Sequence, residues 1–283
     1  MSNEFIIGID IGGTSISTGL IQNQTIVKYY NTPTGAARSC EEILESLYEA
    51  IDAVWQDDVK SIGVGSPGFI DTDKGIILKI NNIPSWNGLN LKEKIENRFK
   101  VSAHINNDAN CFALGEKYFG KGQAYRHMIG LTLGTGLGGG VIINDKLHTG
   151  VACGAGEFGC VPYFNSNFES YCGSGFFSRI YDSTGKELFD AAMKNDPEAL
   201  DAFNKFGNHV GNLITNILYV LAPEAIIFGG SISKSFPLFK NGIYQSLEGF
   251  LLPEVKNKLV IDISDLEHPA LLGAAALYYD SMK

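Results

Sequence analysis

The sequence predicts an α/β fold built from two related halves, and three observations predict it. Strand-like apolar runs alternate with amphipathic helical stretches along the chain. A glycine-turned pair of strands, FIIGIDIGGTSISTGL from Phe5 to Leu20, stands near the start. MIGLTLGTGLGGGVII, from Met128 to Ile143, repeats its design. With Gly8 set on Gly130, Gly12 falls on Gly134 without a gap, Asp10 falls on Thr132 and Thr14 on Gly136.

Taken in order, the β-branched run Phe5 to Ile11 is a strand, and Gly12-Gly13-Thr14 turns it into a second strand. Ile43, Leu44, Leu47, Ile51 and Val54 have helical spacing within residues 41–55. Ser61 to Val64 is a short strand that runs into Gly65-Ser66-Pro67-Gly68. Phe69 to Ile80 reads as strand, turn, strand, with Asp71 and Asp73 as turn formers. Leu91 to Phe99 is a short amphipathic helix, and Val101 to Ile105 a strand ending in Asn106-Asn107-Asp108-Ala109-Asn110. A helix is expected from there to about Tyr118. Helices fill much of 187–221, with Leu213, Ile214, Ile217, Leu218 and Leu221 on one face. Ala225 to Phe228 is a buried strand closed by Gly229-Gly230-Ser231, and a last helix runs from about Leu271 to Tyr279. The halves are expected to divide near residue 107. Residues 1–107 with a C-terminal helix at about 268–283 form a small N-terminal domain, and 108–267 a larger C-terminal one.

The chemistry concentrates in the glycine turns. A Gly-Gly pair lets the backbone approach a bulky ligand, and successive N–H groups in such a turn form a concave anion site. Thr14 adds a hydroxyl. Asp10 repels phosphate, so its use there is to hold a magnesium ion, directly or through water. Read alone, the motif fits equally a hairpin whose Asp and Gly only shape the turn. The repeat at Gly134 strengthens the ligand reading, because two such hairpins could grip one polyphosphate from both sides. Gly134-x-Gly136-x-x-Gly139 also matches a dinucleotide fingerprint, but that needs a helix after the glycines. Val141-Ile142-Ile143 reads as strand, and the Rossmann interpretation is rejected.

Bulk properties exclude several classes. Twenty-two basic against 31 acidic residues leave a net charge of −9. No dense Lys/Arg cluster is present, which argues against a nucleic-acid partner. MSNEF lacks the cationic start and apolar core of a signal peptide, and no apolar run reaches the ~20 residues of a membrane span. Five scattered cysteines suit a reducing cytoplasm better than a disulfide framework.

Seven short motifs in order give the chain a resemblance to the ROK family of sugar kinases, within the actin-like ATPase fold. They are D-I-G-G-T at Asp10 to Thr14, G-S-P-G at Gly65 to Gly68 and N-I-P-S-W-N-G at Asn82 to Gly88. N-N-D-A-N follows at Asn106 to Asn110, G-T-G-L-G-G-G at Gly134 to Gly140, G-A-G-E-F-G at Gly154 to Gly159 and F-G-G-S at Phe228 to Ser231. The resemblance covers essentially the whole chain. It implies two actin-like (ribonuclease H-like) domains with an inter-domain cleft, and ATP-dependent, magnesium-assisted phosphorylation of a hexose or N-acetylhexosamine-type sugar there. It also implies a homodimer in the cytoplasm. The family includes repressors with an added helix-turn-helix domain before the first phosphate loop. With that loop at residue 10, none is expected here. A sugar-sensing or non-catalytic binding protein of the same fold is the alternative.

By resemblance Asp108 is the general base: a carboxylate at a strand end can accept the sugar hydroxyl's proton. The residues alone favour a helix N-cap at Asn107 or Asp108 over the base. ATP and its phosphates are assigned to Asp10, Gly12, Gly13, Thr14, Thr132, Gly134, Thr135, Gly136, Gly229 and Gly230. The sugar is assigned to Gly68, Asn82, Asn107, Asp108, Glu157 and Glu169, because amides and carboxylates discriminate hydroxyl patterns. Trp86 is either a stacking surface or a packed residue.

Two departures from the family pattern stand out. Where the pattern has E-x-G-H, this chain has Glu157-Phe158-Gly159-Cys160. The family's zinc segment, C-x-C-G-x-x-G-C-x-E, is replaced by YFNSNFESYC from Tyr163 to Cys172, with Glu169 aligned to the final glutamate. Cys153, Cys160 and Cys172 lack the close C-x₂₋₄-C pair usual in zinc sites, so no structural zinc is expected. Phe158, Tyr163, Phe164 and Phe168 are available to pack the loop instead.

Overall fold

The structure, a computed structural model, describes residues 4–283. The chain begins with β1 (Phe5–Ile11), β2 (Ser15–Gln22), β3 (Thr25–Pro33), α1 (Cys40–Val54) and β4 (Val59–Ser66). The short strands β5 (Phe69–Asp71), β6 (Ile76–Lys79) and β7 (Leu89–Asn90) follow, then α2 (Leu91–Phe99), β8 (Ser102–Asn107) and α3 (Asp108–Phe119). The second half opens with β9 (Met128–Leu133), β10 (Leu137–Ile143) and β11 (Lys146–His148). A short hairpin, β12 (Pro162–Tyr163) and β13 (Ser166–Asn167), leads into α4 (Phe168–Cys172), α5 (Gly175–Tyr181), α6 (Gly185–Ala192) and α7 (Pro197–Leu221). Then come β14 (Ala225–Gly229), α8 (Phe236–Leu247), α9 (Pro253–Lys258), β15 (Val260–Ile263) and α10 (Pro269–Asp280).

Two five-stranded sheets have the orders β3-β2-β1-β4-β8 and β11-β10-β9-β14-β15. In each, the glycine-turned hairpin supplies the central strand and its neighbour, so the repeat seen in the sequence is a repeat of topology. β1, β4 and β8 run parallel while β2 and β3 run antiparallel to their neighbours. β14 runs parallel to both β9 and β15. β10 begins at Leu137 and takes in Gly139, so strand and not helix continues from the Gly134-x-Gly136-x-x-Gly139 run.

The chain forms two compact units. One comprises Met1–Arg126, Gly140–Gly156 and Asp265–Lys283; the other comprises His127–Gly139 and Glu157–Ser264. The expected division near residue 107 differs from this one, because α3 packs against α10 and stays with the first unit. The first core is aliphatic. β1 and β4 bury Ile7, Ile9, Ile62 and Val64 against α1, whose Ile43, Leu47 and Ile51 are fully buried. A Ser39–Glu42 capping box starts α1 at the turn. On the sheet's other face α10 lies so close that a Cβ at Gly8 or Gly63 would run into its backbone. α10 crosses α3 the same way, with Gly273 set against the Cys111 carbonyl. In the second unit, α7 and α8 cross through Gly207, Gly211 and Gly242.

Candidate active site

The first unit gathers one set of expected residues at the C-terminal ends of its parallel strands. Asp10 pairs in register with Gly65 of β4, and Gly65 in turn lies against Cys111 and the Asp108 backbone. Asp108 is the first residue of α3. Asn107, not Asp108, is the cap: its side-chain oxygen accepts from the N–H groups of Ala109 and Asn110 at 2.9 and 3.4 Å. The Asp108 carboxylate, at the same helix N-terminus, also accepts from the Ala109 N–H at 2.9 Å. The Asn107 amide donates to the Gly68 carbonyl at 3.2 Å. Gly68 and Asn82 line one cavity of about 190 Å³ with Pro67 and Lys79. Gly68 has φ +97°, a conformation suited to glycine, and a Cβ there would strike the Lys79 backbone. Trp86 is fully buried, so it packs the loop and offers no face to a ligand.

The Gly12-Gly13 turn is held from both sides. The Gly12 N–H donates to the Ser15 carbonyl at 2.8 Å, and the buried Thr34 hydroxyl donates to the Gly12 carbonyl at 2.7 Å. Thr14 is exposed, and Asn82 is the neighbour of Gly13. Burial, and secondarily the nearby Asp108, push the Asp10 carboxyl from 3.8 up to about 7. An acid with so little compensating positive charge suits a cation. Magnesium fits this donor set, since it is bound by one or two carboxylates together with substrate phosphates and waters. Among the described residues, no group of three or more His, Cys, Asp or Glu is arranged to hold a metal by itself.

The second unit gathers the remainder. The Gly134 N–H donates to the Gly136 carbonyl at 3.0 Å, closing the second glycine turn; Thr132 pairs in register with Gly229, and Thr135 is exposed. Glu169 accepts from the Leu137 N–H at 3.1 Å and touches Gly136, so α4 fastens this turn directly. Gly159 lies against Glu169 and the Leu137 carbonyl, which brings the G-E-F-G run to the same place. Within that run the Cys160 thiol is 3.6 Å from the Glu157 carboxylate. Burial and then the Glu157 charge raise this thiol's pKa, so Cys160 stays protonated and donates.

Gly230, at φ +83°, packs against the Leu133 backbone, and Ser174 donates its N–H to the Gly134 carbonyl at 2.8 Å. Ser174 and Ser231 then line a cavity of about 390 Å³ walled by Phe177, Phe189, Phe203 and Ile232. Its polar lining includes Lys186 and Lys234. The sequence singles out Gly229 and Gly230, which precede Ser231 of this cavity, but not the cavity's walls. Phe177, Phe189 and Phe203 lie on helices at core-like spacing, and nothing in the linear pattern separates a pocket wall from a core face.

The loop that departs from the family pattern is held by rings. Tyr163 stacks on Phe168 at 4.1 Å and meets Phe164 at 4.3 Å and Tyr171 at 5.2 Å.

The sequence profile of the ROK family matches residues 6–176 and 179–281. The chain belongs to the ROK family. A ROK glucokinase of Streptomyces griseus, solved with glucose and AMPPNP, has a TM-score of 0.81 and 28% identity, over 96% of this chain and 98% of that one. A glucokinase of Halalkalibacterium halodurans is 30% identical over 95% of this chain and 93% of its own length. The xylose repressor of Bacillus spizizenii is also 30% identical, over 96% of this chain and 76% of the repressor. This ROK protein thus has the two-domain, actin-like (ribonuclease H-like) α/β fold, and its relatives include both sugar kinases and a regulator. No helix among its described residues is long and apolar enough to cross a membrane.

Proposed function

We propose that this chain is a glucokinase-like enzyme that phosphorylates a hexose or N-acetylhexosamine-type sugar with ATP. The observation that carries the reading is Asp108. It is the acid of N-N-D-A-N and the first residue of α3, while the neighbouring Asn107 is the helix cap. In the reaction the sugar hydroxyl oxygen attacks the γ-phosphorus and its proton passes to Asp108. The bond to the β-phosphate oxygen breaks, and ADP leaves with that oxygen.

The turns at Asp10, Gly12, Gly13 and Thr14 and at Thr132, Gly134, Thr135 and Gly136 are assigned to ATP's phosphates. The adenosine is assigned to Gly229, Gly230 and the phenylalanine-walled cavity beyond them. Magnesium, bound with ATP and held by Asp10, supplies charge neutralisation on the phosphate oxygens. Gly68, Asn82, Asn107, Glu157 and Glu169 are assigned to the sugar, with Cys160 orienting Glu157. No structural zinc, no nucleic-acid partner, a homodimer and a cytoplasmic location complete the reading.

A sugar-sensing regulator is the second reading, favoured by the 30% identity to a xylose repressor. An ADP-release assay over hexoses, N-acetylhexosamines and β-glucosides separates the two. Turnover with a sugar of this set supports the kinase. Sugar binding without turnover on any of them overturns it in favour of the regulator.

A further inference from the structure

The loop from Tyr163 to Cys172 also builds something the kinase reading does not use. In the second unit a cavity of about 340 Å³ is lined by Tyr163, Phe164, Tyr171, Phe176, Asn208 and His209, among others. Its wall is a set of rings: Phe164–Tyr171 at 5.5 Å, Tyr171–His209 at 4.9 Å and Phe176–His209 at 5.3 Å.

Phe164 is out of place by ordinary rules. It sits in the two-residue turn of the β12–β13 hairpin, where Tyr163 pairs with Ser166, and its φ is +49°. Turn positions with positive φ normally take Gly, Asn or Asp, because a bulky side chain is strained there. The strain does not serve burial, since Phe164 is 74% exposed. It holds an aromatic ring open to solvent against Tyr163 and over the cavity, and backbone strain of this kind clusters at ligand sites.

The hydrogen-bonding groups around the rings have capacity to spare. The Tyr163 hydroxyl accepts from the Asn212 amide at 3.0 Å and shares a hydrogen bond with His209 Nδ1 at 3.1 Å. Burial, and then the Arg179 charge, lower the His209 pKa, which favours the neutral ring. Among the described residues, His209 Nε2 and the Asn208 side-chain amide have no protein partner. Flat aromatic faces beside neutral donors and acceptors match a ring with an apolar C–H face and a hydroxyl edge.

We propose that this aromatic cavity is a second, non-catalytic binding site for a neutral saccharide. It goes beyond the kinase reading: saccharide binding here is measured without ATP, and the acceptor KM serves only to separate this cavity from the acceptor site.

The test titrates the full chain with glucose, maltose and glucose 6-phosphate in the absence of ATP, by calorimetry and saturation-transfer NMR. Phe164→Ala and Asn208→Ala are compared with the unmodified protein. Thermal melting checks folding; Phe164 is largely exposed and the Asn208 amide makes no protein hydrogen bond, so both variants keep the fold. The expected result is that glucose or maltose shows a binding event that both variants weaken at least about tenfold, while the acceptor-sugar KM stays within about twofold. The proposal is overturned if no neutral saccharide binds, or if its binding is insensitive to both variants. A variant-sensitive event seen with glucose 6-phosphate alone overturns the ligand class. A parallel rise in the acceptor KM shows that the cavity belongs to the acceptor site.

Discussion

Asp10→Asn isolates the electrostatic condition of the first glycine turn. Burial and Asp108 raise the Asp10 carboxyl from 3.8 to about 7, so the folded protein holds this proton more tightly than the unfolded chain does. Below about pH 4 the group is protonated in both states and contributes nothing. Between about pH 4 and 7 the unfolded chain ionises while the folded one does not, and stability falls by about 1.36 kcal/mol per pH unit. Above pH 7 the penalty is complete. Its ceiling is on the order of 4 kcal/mol, from the displacement between 3.8 and about 7. The isosteric amide removes it. Urea unfolding of both proteins at several pH values, without nucleotide, should therefore give nearly equal stabilities at pH 4 and a variant more stable by up to a few kcal/mol at pH 8. Magnesium with ATP should reverse the order, stabilising the unmodified protein by binding linkage and leaving the variant nearly unchanged. Parallel stability curves from pH 4 to 8 would refute the argument that Asp10 is a buried, under-compensated acid awaiting a cation.

Four further outcomes follow from the same geometry. Asp108→Asn should retain sugar binding in equilibrium titration while turnover falls by about 10²–10⁴-fold. Gly12→Val and Gly134→Val should keep the fold by circular dichroism and lose nucleotide affinity. A Cβ at Gly134 meets nothing within 4 Å, and one at Gly12 meets only the Ser15 carbonyl at 3.4 Å. Glu169→Ala should raise the KM for ATP as well as for sugar, because it frees the Leu137 N–H that fastens the second glycine turn; a change in the sugar KM alone would separate Glu169 from that turn. Elemental analysis should find far less than one zinc per chain, and activity should survive a zinc chelator when magnesium is resupplied.

Much of the architecture was readable because its signals are periodic and local. The Gly12 and Gly134 turns stand at matching places in two sheets of matching order. The helices expected over 41–55 and 91–99 appear as Cys40–Val54 and Leu91–Phe99. β3 was missed because its face is largely exposed, so TIVKYYNTP carries no clean alternation. α8 was missed for a different reason. Its buried Phe239, Ile243 and Leu247 form a short apolar stripe, but Pro237 at its start and Gly242 in its middle are residues that ordinarily break helices. At the candidate site, the sequence singles out the residues on short glycine-rich motifs. It does not single out Thr34, which pins the Gly12 turn from just after β3, or the phenylalanines of the large cavity, because they act through tertiary position alone.

The position of α10 has a consequence for how the protein is made. Its Leu271, Leu272 and Ala275 complete the cluster formed with Ile6 and Ile21, and its backbone fills the space left by Gly8 and Gly63. On the ribosome, the strands that begin the chain must therefore wait until residues 269–280 have emerged. The second unit, contiguous from Glu157 to Ser264 apart from one hairpin strand, is nearly all available before that moment. Vectorial synthesis thus inverts the expected order, with the later-coded unit able to settle first and the first-coded one closed only by α10. A nascent chain stalled before residue 269 would expose the glycine-lined face of β1 and β4, which is where a ribosome-associated chaperone would find it.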